Sequence, residues 1–423
     1  MSDNYSCELY INMRAAHFWP VPKQYRKPLW KYVAEYVVEV SKYHHNFVLD
    51  PASEPADIKL EDLVEMDFEM SNYFQGREIP VLRGRDYAVL RFEDRAVLLG
   101  GGASGYTILI RDRDSKELLA AKFIKESSGY SLKHLLVEYM CQERAYKALR
   151  GKSCQTPRPV GFLRLESCTD DVLQYVLVSE FCSVIPGVGI GMALEEVLFE
   201  PKYLIRTEEF KYICLALIEA VEALQIEGIA HIDIKQNNIM LQFTLPPPSS
   251  DAIPEQQSNG NGQETLQENQ ETLPSNSEAA EPDKETLNGN PAGSPPSELS
   301  QWHPHSERSL VHPFLIDYGV SRTEYRGINF PVNPQIYPHI APELCSEYTV
   351  LPHVNTDLHG VAFVLLQIGK RLGMGELAGE MESFLKRKPD ERSSEDLKTS
   401  VETHFNNRIN QQNEEETHNA SSS

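Results

Sequence analysis

The sequence of 423 residues lacks long apolar runs and basic clusters. Its longest apolar stretches, such as residues 360–368, are too short to cross a bilayer, and no basic region followed by an apolar run opens the chain. We therefore expect neither membrane insertion nor secretion. With 40 Lys and Arg against 62 Asp and Glu, the formal charge is -22. That balance argues against a nucleic-acid partner, whose phosphates need a clustered cationic surface.

Cysteines are few and widely separated, without a C-x-x-C pair that would indicate zinc binding or redox chemistry. They are Cys7, Cys141, Cys154, Cys168, Cys182, Cys214 and Cys345. This pattern predicts reduced thiols in an intracellular protein. We expect a cytoplasmic location, and the short basic run at residues 386–388 leaves the nucleus as an alternative.

Three segments of the chain carry no chemical motif. Residues 1–90 include an amphipathic segment, 28–40, that predicts a helix packed on the following domain or docking a partner. Residues 245–308 are rich in Pro, Ser, Asn, Gln and Glu, which predicts a disordered insertion and a second place for partner docking. The acidic, Asn- and Ser-rich residues 405–423 are predicted to form a disordered tail.

A strand, a glycine-rich turn and a second strand are predicted from residue 96 onward. Three glycines fit the pattern G-x-G-x-x-G: Gly100, Gly102 and Gly105. A dinucleotide-binding fold would place a helix directly after them, whereas the β-branched residues that follow predict a hairpin. The next strand, 118–124, holds Lys122 among apolar neighbours, where an ammonium group costs free energy unless an anion receives it.

A polar loop between apolar segments spans residues 231–241. Its Asp233, Lys235 and Asn238 have the spacing of a base, a cation and a metal ligand around one transferable phosphoryl group. Farther along, an apolar strand ends in Asp317, which is followed by an aromatic residue and a glycine. A carboxylate at the end of a strand suits magnesium that bridges phosphates.

These motifs occur in one order and end with Ala-Pro-Glu at residues 341–343. In that order the chain resembles the eukaryotic protein kinase superfamily, of the serine/threonine type, from residue 96 to about 404. The resemblance implies an α+β, bilobal fold, with a small, mainly antiparallel β N-lobe that includes one key helix, and a larger, mainly α-helical C-lobe. The implied domain is 91–404, with the N-lobe at 91–181 and the C-lobe at 182–404.

The resemblance also implies ATP-dependent transfer of a phosphoryl group to protein substrates. Asp233 would be the base, Lys235 would steady the γ-phosphate, and Asn238 and Asp317 would hold Mg²⁺, with Mn²⁺ as an alternative. Lys122 would meet the α- and β-phosphates. Its carboxylate partner would come from the helix at about 131–149, where Glu143 is preferred over Glu138.

Residues 175–182 resemble the strand that leads into the kinase hinge. The nucleotide site implied by the resemblance consists of Gly100, Gly102, Gly105, Lys122, and the hinge backbone at Glu180 and Cys182. Ser179 would occupy the gatekeeper position, where a small side chain implies extra room behind the adenine. In the C-lobe, Asp357 is expected to brace the catalytic loop, and the arginine of segment 388–392 to pair with Glu343.

Two of these motifs depart from the family pattern. Ile232 replaces the arginine that follows the loop histidine, and Tyr318 replaces phenylalanine after Asp317. Since an isoleucine cannot pair with a phosphate, phosphorylation at Ser321 or Thr323 is expected to matter little. Lys235 favours Ser/Thr substrates. The alternatives are a pseudokinase that binds nucleotide or acts as a scaffold, and a small-molecule kinase.

Overall fold

The computed structural model describes residues 47–49, 67–77, 80–92, 95–101, 105–125, 129–168, 175–184, 191–199, 205–243, 311–328, 332–346 and 348–422. They belong to one compact unit, formed by Met1–Pro246 and Pro304–Ser423. The predicted helix at 28–40 and the insertion at 245–308 lie outside the described residues. Across the part of the chain that the structure describes, no helix has the length and apolar character needed to span a bilayer.

The described residues are rich in strands in the first part of the chain and mainly helical in the second. The strands are β1 (Phe47–Leu49), β2 (Tyr87–Val89), β3 (Arg91–Phe92), β4 (Arg95–Ala96), β5 (Leu98–Gly101), β6 (Gly105–Asp112), β7 (Leu118–Ile124), β8 (Pro159–Cys168), β9 (Tyr175–Glu180), β10 (Ile229–Ala230), β11 (Ile239–Phe243), β12 (Val311–Leu315) and β13 (Arg322–Thr323). The helices are α1 (Phe68–Phe74), α2 (Leu132–Leu149), α3 (Leu194–Phe199), α4 (Thr207–Ile226), α5 (Thr356–Arg371), α6 (Gly375–Phe384) and α7 (Ser394–Ser422).

The N-lobe is built on a seven-stranded antiparallel sheet in the order β1-β8-β9-β7-β6-β2, with β5 also paired to β6. The pairing of β5 with β6 confirms the predicted glycine hairpin. Ile108, Ile110 and Phe123 are fully buried in the apolar cluster of this sheet. The β-branched and aromatic residues of these strands suit a pleated surface that is buried on one side.

The sheet begins before the boundary predicted at residue 91. β1 pairs with β8, and Val81 forms a parallel bridge with Phe162. Helix α1 buries Met70 and Phe74 in the main apolar core, where Phe74 stacks on Tyr139 of α2 at a ring distance of 6.4 Å. Part of the predicted N-terminal extension is therefore integral to the N-lobe.

Helix α2 confirms the helix predicted at about 131–149. It begins after Ser131, which forms a reciprocal capping box with His134. The helix packs against β8 and β9 and reaches α4 of the C-lobe. Its position is therefore set by both lobes, so its inward side chains are held against the sheet.

The C-lobe is formed around helix α4, which packs on α5 and α7. Strands β11 and β12 form an antiparallel ladder, in which Phe243 lies opposite Val311. The two ends of the segment predicted as an insertion therefore meet at neighbouring positions in one ladder. This confirms that the chain before and after the insertion belongs to one lobe.

The prediction of a disordered tail at 405–423 is wrong, because α7 continues through Ser422. Leu397, Val401 and Phe405 are buried in the core and recur every four residues, which anchors the first part of the helix. The exposed remainder contains glutamine and glutamate, which are good helix formers, and extends this anchored start.

Candidate active site

An ion cluster joins the N-lobe sheet to the end of β12. The Nζ atom of Lys122 on β7 lies 2.6 Å from Oε1 of Glu138 and 2.8 Å from Oδ1 of Asp317. Gly319 leaves room for the cluster, since a Cβ atom there would lie 2.9 Å from that Nζ. One ammonium group faces two carboxylates, so the cluster has a net negative charge.

Burial and charge act in opposite directions on the groups of this cluster. Burial disfavours the charged form of Lys122, but the charges of Asp317 and Glu138 outweigh it and raise the lysine pKa. Burial also opposes ionisation of Asp317, yet Lys122 lowers the pKa of that carboxyl group to about 2. The pKa of Glu138 is raised, because its burial and the nearby Asp317 charge prevail over the lysine. The lysine is thus charged at neutral pH.

The prediction that Glu143 is the partner of Lys122 is wrong, because Glu138 occupies that place. Glu143 lies on another side of α2, where it accepts hydrogen bonds from Tyr73 of α1 and from Arg77, and pairs with Lys147. Both glutamates fit the same helical pattern. They are separated by five residues, or about 140° around the helix, so only the docking of α2 determines which one faces the sheet.

The glycine hairpin lies along β7, beside the ion cluster. Gly105 approaches β7 so closely that a Cβ atom would be 1.8 Å from the carbonyl oxygen of Phe123. A glycine is therefore required there by backbone packing. Gly100 lies in β5 with open space around it, whereas Gly102 lies outside the described residues. The backbone at Gly100 is therefore not covered by a neighbouring side chain.

The segment predicted as the hinge follows β9. The amide of Glu180 donates to the carbonyl of Arg158, and its carboxylate accepts from the Arg158 side chain at 2.8 Å. Cys182 is buried two residues later. Behind this strand, the amide nitrogen of Gln142 on α2 donates to Oγ of Ser179 at 3.1 Å. The space behind the predicted gatekeeper therefore contains a polar side chain.

The catalytic loop is supported from below by Asp357 of α5, as predicted. Its two carboxylate oxygens accept hydrogen bonds from the backbone amides of His231 and Ile232, at 2.6 and 2.7 Å. Burial raises the pKa of Asp357 against the opposing effect of these contacts. From the other side, Nε2 of His231 donates to the carbonyl of Ile316 at 3.0 Å. The loop is thereby tied to the strand that ends in Asp317.

Asp233, Lys235 and Asn238 are brought together within this loop. Nζ of Lys235 lies 2.9 and 2.8 Å from the two carboxylate oxygens of Asp233, and the side-chain amide of Asn238 donates to Oδ2 at 2.8 Å. A fourth contact was missed in the sequence: Nε2 of His339 lies 2.8 Å from Oδ1. No motif signals this histidine, because it lies in another segment of the chain and meets the loop only in the folded structure.

Residues 94–245 match the family model of the protein kinase domain. The matched part of the chain belongs to the protein kinase superfamily. The chain has the α+β, bilobal kinase fold that the resemblance implies, with an antiparallel N-lobe sheet and a helical C-lobe.

Solved structures similar to this chain include the kinase domain of PknI from Mycobacterium tuberculosis. The two sequences are 12% identical, and the alignment covers 75% of this chain and 96% of the other with a TM-score of 0.41. A single mutant of the same domain is 13% identical, with coverages of 75% and 95% and a TM-score of 0.40. Comparison with curated proteins finds no match.

The kinase activation segment packs against Ile232 through apolar contacts. Ile232 is 3% exposed and belongs to a cluster with Ile328, Ile340, Ala341 and Leu344. It has a φ of 74°, in the left-handed region that is unfavourable for a β-branched residue. The position that holds arginine in the family is thus occupied by an isoleucine with a strained backbone, whose side chain packs against the activation segment.

The phosphorylation positions considered in the sequence are both buried. Ser321 and Thr323 are 0% and 1% exposed, and Oγ of Ser321 donates to the carbonyl of His231. A kinase acting on either hydroxyl would first have to open the activation segment. The ion pair expected at the end of the segment is present, with Arg392 donating to both oxygens of Glu343 at 2.6 and 2.8 Å.

A second link to the activation segment comes from α1. Arg326 lies 2.5 Å from Oδ1 of Asp67, which caps α1, and 2.6 Å from Oε2 of Glu69. Since α1 also packs on α2, these residues connect the activation segment with the helix that carries Glu138.

Proposed function

We propose that this kinase transfers the γ-phosphoryl group of ATP to Ser or Thr hydroxyls of protein substrates. One observation carries the proposal: the backbone amide of Ile316 donates to the carbonyl of Asn238 at 3.0 Å. This bond holds Asp317 and the Lys122 cluster beside the loop that contains Asp233. The charged groups required for phosphoryl transfer therefore converge from both lobes.

Each charged group has a role consistent with its contacts. Lys122, oriented by Glu138, would bind the α- and β-phosphates. Asp233 would accept the hydrogen bond of the substrate hydroxyl and orient its oxygen toward the phosphorus. Burial opposes ionisation of Asp233, but hydrogen bonds from His339 and Lys235 outweigh it and lower the pKa of this carboxyl group. It is therefore a carboxylate at neutral pH and able to accept a proton.

The residues present fit a magnesium ion bound with the nucleotide. Asp317 offers a carboxylate and Asn238 an amide oxygen, since its amide nitrogen is directed at Asp233. Oxygen donors of this type are the ligands that Mg²⁺ prefers, and Mn²⁺ accepts the same set. The net negative charge of the cluster around Lys122 also favours a cation. When bound, the ion would neutralise charge on the phosphates.

Positions of the adenine and of the protein substrate follow from the same arrangement. The backbone of Glu180 and Cys182 would bind the adenine edge, with Gly100 and its neighbours over the phosphates. Lys235, on Asp233 in this structure, would turn to the γ-phosphate when ATP binds, and its presence in the loop supports Ser/Thr substrates. We place the enzyme in the cytoplasm, with further partner docking through residues 1–90 or 245–308.

The experiment that tests the proposal is transfer of labelled phosphate from ATP and Mg²⁺ to basic and acidic protein substrates. Wild type should label a substrate, whereas Lys122→Met and Asp233→Ala should not. Lys152→Met is the matched control, because this lysine lies on the surface, and it should keep full activity.

Thermal unfolding and nucleotide binding separate the alternatives. Asp233→Ala should stay folded and bind nucleotide, since the residue does not contact Lys122. Wild-type protein that binds Mg²⁺ and ATP without labelling any substrate would be a pseudokinase. Labelling that persists in Asp233→Ala would overturn the role of this residue.

A further inference from the structure

We propose that His339 is a positioning residue that orients the Asp233 carboxylate for phosphoryl transfer. The inference rests on the proposed function. It concerns a residue of the activation segment, two positions before Ala341, that has no place in the motifs by which the site was predicted.

The imidazole is held in one orientation. His339 is 8% exposed. Its ring lies 6.0 Å from the ring of Phe363 on α5 and 6.3 Å from that of Tyr337. Its Nε2 atom is 2.8 Å from Oδ1 of Asp233. Because an ionised carboxylate can only accept, Nε2 must carry the proton and donate it in this hydrogen bond.

The Asp233 carboxylate is fully occupied in this structure. Oδ1 accepts hydrogen bonds from His339 and Lys235, and Oδ2 accepts hydrogen bonds from Lys235 and Asn238. Two carboxylate oxygens offer about four acceptor positions, so none is left for a substrate hydroxyl. At least one donor has to leave before the hydroxyl can bind.

The donors differ in what they do when nucleotide binds. In the proposed reaction Lys235 turns to the γ-phosphate, which frees one acceptor position on each oxygen of Asp233. The amide nitrogen of Asn238 stays on Oδ2 while its oxygen holds the metal ion. His339 has no alternative partner of this kind, since its ring is buried beside Phe363 and Tyr337. It would remain as the side-chain donor to Oδ1, fixing that oxygen while Oδ2 accepts from the substrate.

The activation segment brings His339 to the loop. The preceding residue, Pro338, accepts a hydrogen bond from Nε2 of His359 on α5 at 3.0 Å. The following residue, Ile340, packs in the cluster around Ile232. Detachment of the activation segment would therefore withdraw the donor from Asp233, so the orientation of the base depends on the packing of this segment.

Two substitutions distinguish a hydrogen-bonding role of His339 from a role in packing alone. His339→Phe keeps the aromatic volume but removes the donor, whereas His339→Gln keeps an N–H donor of similar reach. We expect His339→Phe to lower kcat by about 10- to 100-fold, the effect of a misplaced catalytic group, while KM for ATP changes less than about twofold. His339→Gln should restore most of kcat. Tyr337→Phe, which alters a ring neighbour, is the control and should leave kcat unchanged.

The contact has a readout that does not need activity. The Nε2–H NMR signal of His339 should shift between wild type and Asp233→Asn, and melting curves should show that all variants are folded. Equal kcat in His339→Phe and wild type would overturn the proposal, as would equal losses in His339→Phe and His339→Gln. An unchanged NMR signal would overturn the contact itself. If wild type labels no substrate while the signal shifts, the proposed function fails and the contact stands without a catalytic role.

Discussion

Replacement of Ile232 by alanine tests whether apolar packing holds the activation segment on the catalytic loop. Truncating a buried isoleucine to alanine costs about 2–5 kcal/mol. Ile232 is 3% exposed, but its φ of 74° is strained for a β-branched residue. Relief of about 1 kcal/mol of this strain should offset part of the loss. We therefore expect Ile232→Ala to reduce the free energy of unfolding by about 1–4 kcal/mol.

Thermal and urea unfolding measure this difference. A loss of that size should lower Tm by about 2–16 °C in a protein of this size class. Ile226→Ala is the matched control, since Ile226 is 85% exposed and its truncation should change Tm by less than about 1 °C. Ile232→Gly removes slightly more side chain but also the remaining strain, so it should be no less stable than Ile232→Ala.

Hydrogen exchange localises the effect. In Ile232→Ala, amides of residues 332–344 should exchange faster than in wild type, because the apolar cluster holds this part of the activation segment. A Tm within about 1 °C of wild type, or an equal loss in Ile226→Ala, would refute the reasoning. It would show that the segment is held by other contacts.

Glu138→Gln should lower kcat/KM by at least about tenfold, because it removes the charge that orients Lys122. Glu143→Gln is the control, and its kcat/KM should stay within about twofold of the wild-type value. Equal losses in the two variants would contradict the assignment of Glu138. Arg326→Ala should reduce the free energy of unfolding by about 1–2 kcal/mol, measured in urea, because it leaves the two carboxylates at the start of α1 without their shared partner. Replacing residues 245–308 by a short turn should change neither Tm nor turnover, since the ends lie in one ladder; a collapse of Tm would show that the segment is structural. The pKa of Asp317 is lowered from 3.8 to about 2. Its ionised carboxylate should therefore contribute stability above about pH 4 that is lost as the pH falls toward 2. Asp317→Asn should weaken this dependence of Tm on pH, and an unchanged dependence would contradict the contribution of Asp317.

Local patterns were sufficient for the elements and motifs that depend on nearby residues. The β-branched residues after Gly105 predicted a hairpin instead of a βα unit, and β5 and β6 form one. The helix expected at about 131–149 is present as α2. The tail was misjudged, because it continues a helix whose buried apolar residues, Leu397, Val401 and Phe405, lie before the tail or at its first position.

Contacts between distant segments could not be predicted in the same way. The support of the loop by Asp357, and the pair of Arg392 with Glu343, were predicted only through the family resemblance, which supplies tertiary information. Neither the hydrogen bond of His339 to Asp233 nor the ion pairs of Arg326 with α1 belongs to a motif. Nothing in the local sequence distinguishes these residues from others of their type.

The sequence by itself determined the order of strands, helices and polar loops, and hence the superfamily and the fold. These features depend on propensity, periodicity and short-range spacing, which each stretch of chain contains. Only the tertiary structure decided that Glu138 faces Lys122, that Ile232 packs on the activation segment, and that His339 reaches Asp233. Those contacts depend on how a helix is rotated and where a loop comes to lie, and both are set by packing against other segments of the chain.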